Sequence, residues 1–239
     1  MSHPYPKATT AIRPDRRLLR LQALCGLVFA VFVLLHLVNV MASAFGPGLY
    51  DAFQLQIRPI YQNPALELGV LFGSVLIHAV TGIVRIRRRP RTRDFGRLPR
   101  RTRLHRLSAY FLLIVIVGHI AATRLPSVID GVWLGFAGLS FTMDRFGFIF
   151  YPYYLTLGLC GLYHGTYGTY LALRSLGVRL PAPAALGPGT RVSLGVTALL
   201  AALLVALGVL SFGGLLYEIE DPARSDFARF AAERFGVNP

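Results

Sequence analysis

The sequence is poor in charged residues and in cysteine. Charged side chains make up only 15% of the 239 residues, against about 25% in a typical soluble domain. Two cysteines, Cys25 and Cys160, both lie in apolar stretches. Two cysteines are too few for a disulfide scaffold or a multi-cysteine metal cluster. We expect both to behave as small apolar residues, as buried free cysteines usually do. The sequence also lacks a glycine-rich phosphate loop, a Ser/His/Asp arrangement and a paired-carboxylate site, so none of these chemistries is expected.

Apolar residues dominate instead, at 54% of the chain with a mean hydropathy of +0.53. The hydrocarbon core of a bilayer needs about 20 apolar residues per helix. Five stretches qualify, at about 18–45, 65–84, 104–122, 147–173 and 192–217. We therefore predict an all-α integral membrane bundle of five transmembrane helices that forms one domain, 1–239. The segments 46–64, 85–103, 124–145 and 177–189 are predicted loops, and the tail after Glu218 is expected at the surface.

Acidic residues are scarce, with 11 against 25 lysines and arginines, which gives a formal charge of +14. The five predicted helices place 19 basic and two acidic residues on one side, and six basic and nine acidic residues on the other. The positive-inside rule then puts the N-terminus in the cytoplasm and the C-terminus outside, in a cytoplasmic (inner) membrane. The arginines between Arg85 and Arg106 are expected to contact membrane lipids or a partner subunit, not nucleic acid.

Four of the six histidines fall inside predicted spans, one in each of the first four. They are His36, His78, His119 and His164. An ionisable residue inside a span is costly, so it faces the protein interior and has a partner. The other two are His3 in the N-terminal tail and His105 among arginines at a helix start, where solvent or headgroup contact is expected.

The depth of the four histidines sorts them into two pairs. Counted from the cytoplasmic ends, His36 and His119 lie roughly 22 and 20 Å up, and His78 and His164 roughly 10 and 15 Å up. Each histidine alone is explained equally well by a hydrogen bond to a carbonyl or hydroxyl group. Two level pairs are what two stacked prosthetic groups would need, whereas zinc would gather its ligands into one tetrahedron.

Haem fits the paired pattern, because two imidazoles close both axial positions of its iron and favour electron transfer over oxygen chemistry. The absence of a Cys-x-x-Cys-His motif makes it a noncovalent haem b. Small residues near the inner pair leave room for a macrocycle, although they also suit ordinary helix packing. They are Ser74, Gly82, Gly158, Gly161, Gly165 and Gly168. Asn39 and Thr81 are candidate polar groups behind the ligands.

The histidine spacings of 42, 41 and 45 residues, with five spans and an inside N-terminus, resemble the di-haem cytochrome b subunit of succinate:quinone oxidoreductases. The group includes quinol:fumarate reductases with a single large membrane anchor. Local likenesses lie at 114–120 and 163–168. The resemblance implies that His36 and His119 bind a distal haem and His78 and His164 a proximal haem. It also implies a cytoplasmic iron–sulfur subunit docked to a flavoprotein, and Arg20, Arg106 and Arg174 as candidates for neutralising haem propionates.

The same resemblance implies a quinone, of the menaquinone type, on the outer side near the distal haem. Glu67, Gln54 and Arg58 are the candidate residues, with Asp51 and Gln56 nearby. Some fumarate reductases carry a glutamate before the fourth-helix histidine for proton movement. Here Leu162 and Tyr163 precede His164, so that proton route is not expected. The alternatives are a stand-alone di-haem cytochrome resembling cytochrome b561 or a membrane ferric reductase, and a haem-free anchor or transporter.

Overall fold

The computed structural model describes residues 15–88, 95–219 and 221–237. His3 and residues 89–94 of the arginine-dense segment lie outside these ranges. The described residues form helices and contain no strand. The helices are α1 (Arg16–Ala42), α2 (Pro47–Tyr61), α3 (Gly73–Arg87), α4 (Arg100–Asp130), α5 (Phe136–Ser175), α6 (Pro188–Ser211) and α7 (Asp226–Phe235). A π-helical segment, Ala65–Phe72, leads directly into α3.

Five helical segments of the described chain are long and apolar enough to cross a membrane. They are Arg16–Phe45, Ala65–Arg87, Arg100–Asp130, Phe136–Ser175 and Pro188–Ser211. Each has at least 18 residues with a mean hydropathy of 1.2 to 2.5 in its most apolar window. The chain is thus an all-α, multi-pass membrane protein, and the predicted fold class is confirmed.

The predicted loop at 124–145 is wrong, because most of it is helical. Helix α4 continues to Asp130 and ends at Gly131, whose φ of 67° is the left-handed conformation that glycine adopts readily. Helix α5 begins at Phe136 and changes direction at Phe146, where φ is −133° and ψ is 30°. Hydropathy identified only the membrane-apolar part of each helix, and both helices extend beyond it.

Two helices lie in segments that were predicted as loop or tail, and the last span ends earlier than predicted. Helix α2 begins with Pro47, a residue suited to a first helical turn. Helix α7 begins after Ser225, whose hydroxyl accepts a hydrogen bond from the Ala228 N–H at 3.1 Å. Helix α6 stops at Ser211 instead of 217, and turns follow it.

Helix α1 is central among the spanning helices. Helix α1 packs against α3, α5 and α6, and α4 packs against α5. Helices α1 and α4 do not pack closely against each other, and neither do α3 and α5. Helix α1 therefore faces α4 across the interior, and α3 faces α5. We call the end where α1 begins, α3 ends and α4 begins the arginine-rich end.

The opposite end is closed by a structure that we call the cap, formed by α2, the first turns of α5, the end of α6 and α7. Its buried core comprises Tyr50, Phe136, Met143, Val209 and Phe212. A second small core joins Phe141 to Ala228 and Ala231 of α7. By contrast, only 6% to 17% of the most apolar window of each span is buried, as expected where most apolar side chains face lipid.

Helix α6 is attached to the bundle only through its half near the cap. There the Ser43 hydroxyl donates a hydrogen bond to the Gly208 carbonyl at 2.9 Å, and the Gly208 backbone lies against the Val40 carbonyl. Residues 191–200, in the half near the arginine-rich end, are all exposed. The close approach at Gly208 leaves no room for a Cβ atom.

We predict that Gly208→Ala destabilises the protein although alanine is the better helix former. The added methyl group would clash with the Val40 carbonyl and force α6 away from α1. Such overpacking lowers the free energy of unfolding by about 1–3 kcal/mol. Gly195→Ala on the same helix is the matched control, because a Cβ there meets nothing within 4 Å. Thermal unfolding in detergent should show a lower midpoint for Gly208→Ala and an equal or higher one for Gly195→Ala. Equal midpoints for the two variants would contradict the tight contact.

Candidate functional site

The inner histidine pair, nearer the arginine-rich end, is His78 on α3 and His164 on α5. Their ring centroids are 6.1 Å apart and their planes are almost perpendicular, at 84°. The Nδ1 atom of His78 lies 2.9 Å from the Gln22 carbonyl on α1. A carbonyl can only accept, so Nδ1 carries the proton and the Nε2 lone pair of His78 is free to bind a metal.

Two residues of α1 that the sequence analysis missed hold the His78 ring in place. A Cβ at Gly26 would lie only 2.6 Å from His78 Nδ1, so glycine is needed for the ring to reach α1. The Gln22 side chain accepts a hydrogen bond from Arg85, and a Cβ at Gly82 would lie 2.9 Å from Gln22 Nε2. Gly82 was expected to leave space for a macrocycle. In the structure it leaves space for Gln22.

The outer histidine pair, nearer the cap, is His36 on α1 and His119 on α4. Their ring centroids are 6.2 Å apart, with 67° between the planes. Phe32 stacks on His36 at 5.9 Å and Tyr154 meets His119 edge-on at 6.2 Å. His119 Nδ1 and the side-chain oxygen of Asn39 are buried, and neither has a hydrogen-bond partner among the described residues.

A cavity of about 250 Å³ lies beside His119, between α4 and α5. Gly118 and Ala122 line it from α4, and the aromatic rings of Phe150, Tyr153 and Tyr154 line it from α5. It is an apolar space with one imidazole in its wall. Such a space suits a flat apolar group more than a hydrated ion.

The spacing within both pairs matches two imidazoles on opposite faces of one metal ion. A metal–nitrogen bond of about 2 Å and a ring centroid about 1.1 Å behind its nitrogen place the two centroids roughly 6.2 Å apart. Within the described chain no group of three or more His, Cys, Asp or Glu residues is placed to hold a bare metal ion. Each pair therefore has the spacing of two imidazoles that share one metal ion. Their proximity is observed, and their role as ligands remains a prediction.

The other residues expected near the histidines have different roles in the structure. The Thr81 hydroxyl donates to the backbone carbonyls of Ile77 and His78 and does not hold the imidazole ring. Arg20 and Arg174 are exposed and Arg106 is half-buried. Arg174 donates to the Tyr170 hydroxyl at 3.0 Å.

His105 is not the solvated residue that its arginine neighbours suggested. It is half-buried, and its ring lies parallel to that of His164, with centroids 4.3 Å apart and 9° between the planes. The His105 Nε2 atom is buried, and no described residue forms a hydrogen bond with it. His105 lies on α4 and His164 on α5, so their contact depends on how these two helices pack. The local sequence does not reveal that packing.

Four polar residues meet near the cap in a group that we call the outer polar cluster: Glu67, Arg124, Ser127 and Arg58. Arg124 donates two hydrogen bonds to the Glu67 carboxylate, one of them 2.7 Å long from Nη2. The Ser127 hydroxyl accepts from Arg124 at 3.2 Å and from Arg58 at 2.7 Å. The structure thus links Glu67 to Arg58, two of the three predicted quinone residues, through residues that were not predicted.

A second cavity of about 250 Å³ opens beside this cluster. The Arg58 guanidinium lies in its wall, 4.4 Å above the Trp133 ring, together with Leu55, Pro59 and Gln62. Arg58 is held there by a 2.7 Å hydrogen bond from its Nε to the Gln62 side chain. The cavity therefore combines an aromatic face with a positive charge.

Gln54, the third predicted quinone residue, belongs mainly to the cap. Its amide nitrogen donates to the Tyr50 hydroxyl at 2.8 Å, while its buried oxygen has no partner in the described part of the chain. Asp51 accepts a hydrogen bond from the Phe136 N–H at 2.9 Å. Burial raises the pKa of the Asp51 carboxyl, and this hydrogen bond opposes the rise. Gln56 is exposed.

Comparison with family models, curated proteins and solved structures gives no match to this chain. What the site does must therefore be argued from its own residues.

We predict that Glu67→Gln destabilises the protein by about 2 kcal/mol, because it leaves the Arg124 charge without its partner where both side chains are largely buried (14% and 22% exposed). Asp15→Asn is the matched control. It breaks the exposed pair with Arg88 at 3.5 Å but keeps the helix cap, so the cost is below about 1 kcal/mol. Unfolding of the purified protein in detergent measures both, and equal losses would contradict a buried pair.

Proposed function

We propose that this chain is the membrane anchor and electron-transfer subunit of a succinate dehydrogenase or fumarate reductase complex. It would pass electrons between a cytoplasmic iron–sulfur subunit and a membrane quinone through two haem b groups. The observation that carries this proposal is the geometry of the histidines. Two pairs, at two depths, join helices that face each other across the bundle with centroids 6.1 and 6.2 Å apart.

His78 and His164 would hold the proximal haem, and His36 and His119 the distal haem. Haem with two imidazole ligands supplies one-electron redox chemistry and leaves no iron position for oxygen. The hydrogen bond from His78 Nδ1 to the Gln22 carbonyl fixes the ring orientation and increases the basicity of Nε2. Packing by Phe32 on His36 and by Tyr154 on His119 orients the outer rings and excludes water.

The cavity at Arg58 and the outer polar cluster form the best-supported quinone site. A quinone that is reduced or oxidised exchanges protons close to its carbonyl oxygens. Glu67 is the carboxylate of this region, Arg58 offers hydrogen bonds to a carbonyl oxygen, and Trp133 offers an aromatic face. Gln54, one turn before Arg58 on α2, is a weaker candidate because it does not line this cavity. It remains a candidate because its buried amide oxygen has no partner among the described residues and is therefore available to a ligand.

Charge supports a protein partner at the arginine-rich end. Five of the six basic residues on the cap side pair with acidic side chains: Arg124, Arg145, Arg224, Arg229 and Arg234. On the arginine-rich side, two acids cannot neutralise 19 basic residues. An iron–sulfur subunit with an acidic face, joined to a flavoprotein that carries the dicarboxylate chemistry, would complement this surface, as would anionic lipid headgroups.

We predict that the purified protein contains two haem b groups per chain and that His78→Ala contains one. Removing one axial ligand releases the proximal haem, while His36 and His119 keep the distal one. His3→Ala is the matched control and should retain two. A pyridine haemochrome assay counts the haem, and a reduced-minus-oxidised spectrum shows its type. Absence of haem from the wild type would refute the proposed function, and two haems in His78→Ala would refute the pairing.

We also predict that Arg58→Gln slows the reduction of the haems by a water-soluble quinol at least about tenfold, because about 1.4 kcal/mol of lost stabilisation gives that factor. The haem content should not change, since Arg58 lies in the cap-side cavity and not beside an imidazole. Arg145→Gln is the control, because Arg145 lies on the same side and outside that cavity. Stopped-flow absorbance measures the rates, and equal rates in both variants would place the quinone elsewhere.

A further inference from the structure

His105 lies against the inner histidine pair from the side of α4. Its ring is parallel to that of His164 at 4.3 Å, and the edge of the Tyr167 ring meets it at 5.6 Å. Its backbone carbonyl lies 3.4 Å from His164 Nδ1, within hydrogen-bond distance. One residue thus contacts His164 through both its ring and its backbone, which fixes the plane of the His164 imidazole.

The backbone contact also sets the tautomer of His164. A carbonyl oxygen can only accept, so the Nδ1 atom of His164 carries the proton and Nε2 has the free lone pair. The His105 carbonyl is itself held by the Ser108 hydroxyl at 3.0 Å, and Ser108 is 5% exposed. The His105 carbonyl therefore orients the His164 ring and sets its tautomer, as the Gln22 carbonyl does for His78.

The His105 ring has a feature that this positioning does not use. Its Nε2 atom is buried and has no partner among the described residues. Leaving such a buried polar atom unpaired is costly, so a partner beyond the described residues is expected, and a bound group is one such partner. Nε2 lies near Gly168, where an added Cβ would be 3.2 Å away. Gly168 is one helical turn beyond His164, in the direction of the arginine-rich end.

A haem between His78 and His164 would have only two strongly polar groups at its edge, the propionate carboxylates. These charges avoid the low-dielectric middle of the bilayer, so they turn towards the nearest polar end. For the inner pair that is the arginine-rich end, the direction in which His105 Nε2 lies from His164. A buried N–H on that side is a suitable donor to a carboxylate.

We propose that His105 is a third histidine of the inner site. It positions the His164 ring through stacking and through its carbonyl, and it donates a hydrogen bond from Nε2 to a haem propionate. This inference rests on the proposed function, because it needs a haem between His78 and His164. It assigns His105 to the inner site alone, so the outer pair provides an internal reference in every measurement.

The test uses two variants of the full-length protein purified with its own haem. His105→Phe keeps a flat ring to stack on His164 but has no donor, and His105→Gln keeps an N–H donor but has no ring. Redox titration followed by absorbance gives the midpoint potentials of both haems, and the spectrum of His78→Ala identifies the outer haem. Loss of the donor leaves the propionate charge less neutralised, which favours ferric iron. We expect the inner potential to fall in His105→Phe and to return towards the wild-type value in His105→Gln.

Tyr167→Phe is the matched control, because it keeps the ring that touches His105 and removes only a hydroxyl group. It should leave both potentials unchanged. Loss of the inner haem alone in His105→Phe, with recovery in His105→Gln, would also support the proposal. Unchanged potentials in His105→Phe, equal shifts of both haems or loss of both haems would overturn it. A wild-type protein without haem would instead refute the proposed function itself, so the two failures are distinguishable.

Discussion

The structure depends on the cost of burying imidazoles inside a membrane-spanning bundle, which favours a partner for each ring nitrogen. Backbone carbonyls satisfy the Nδ1 atoms of His78 and His164, from Gln22 and His105. This leaves the two Nε2 lone pairs without a hydrogen bond from the described residues, so they are available to a ligand. The same requirement explains Gly26, which lets the His78 ring reach α1, and the facing arrangement of α3 with α5 and of α1 with α4. Filling the centre of the bundle with apolar side chains would remove the space between the pairs.

Charge organises the two ends of the molecule in opposite ways. Near the cap, arginines are paired within the chain, as Arg124 is with Glu67 and Arg234 with Asp130. The arginine-rich end has far more positive charge than its own acids can balance. Such an end suits an external acidic partner, whereas the cap end is self-contained. A quinone site near the cap and a redox partner at the arginine-rich end would make each electron cross most of the bilayer. That movement is worth about 2.3 kcal/mol per 100 mV, so the reaction would respond to the membrane potential.

The sequence was sufficient for the existence of five spans and for sorting four histidines into two neighbouring pairs, because both follow from length, hydropathy and the rise per residue of a helix. It was insufficient for α2 and α7, which are amphipathic and too polar to register as spans. It was also insufficient for the roles of Gln22, Gly26 and His105. These residues act through contacts between different helices, and nothing in their local sequence specifies which helix lies opposite. The outer polar cluster was half predicted: Glu67 and Arg58 were identified, but Arg124 and Ser127, which join them, became visible only in three dimensions.

The central claim is that each histidine pair binds one haem through both axial positions. The most direct test is the electron paramagnetic resonance spectrum of the oxidised, purified protein. Two imidazoles on one ferric ion give a low-spin signal, and ring planes inclined at 67° and 84° make that signal strongly anisotropic. We predict two such low-spin signals of equal intensity, one from each proposed haem. A high-spin ferric signal, a single low-spin signal or no ferric haem signal would contradict the account.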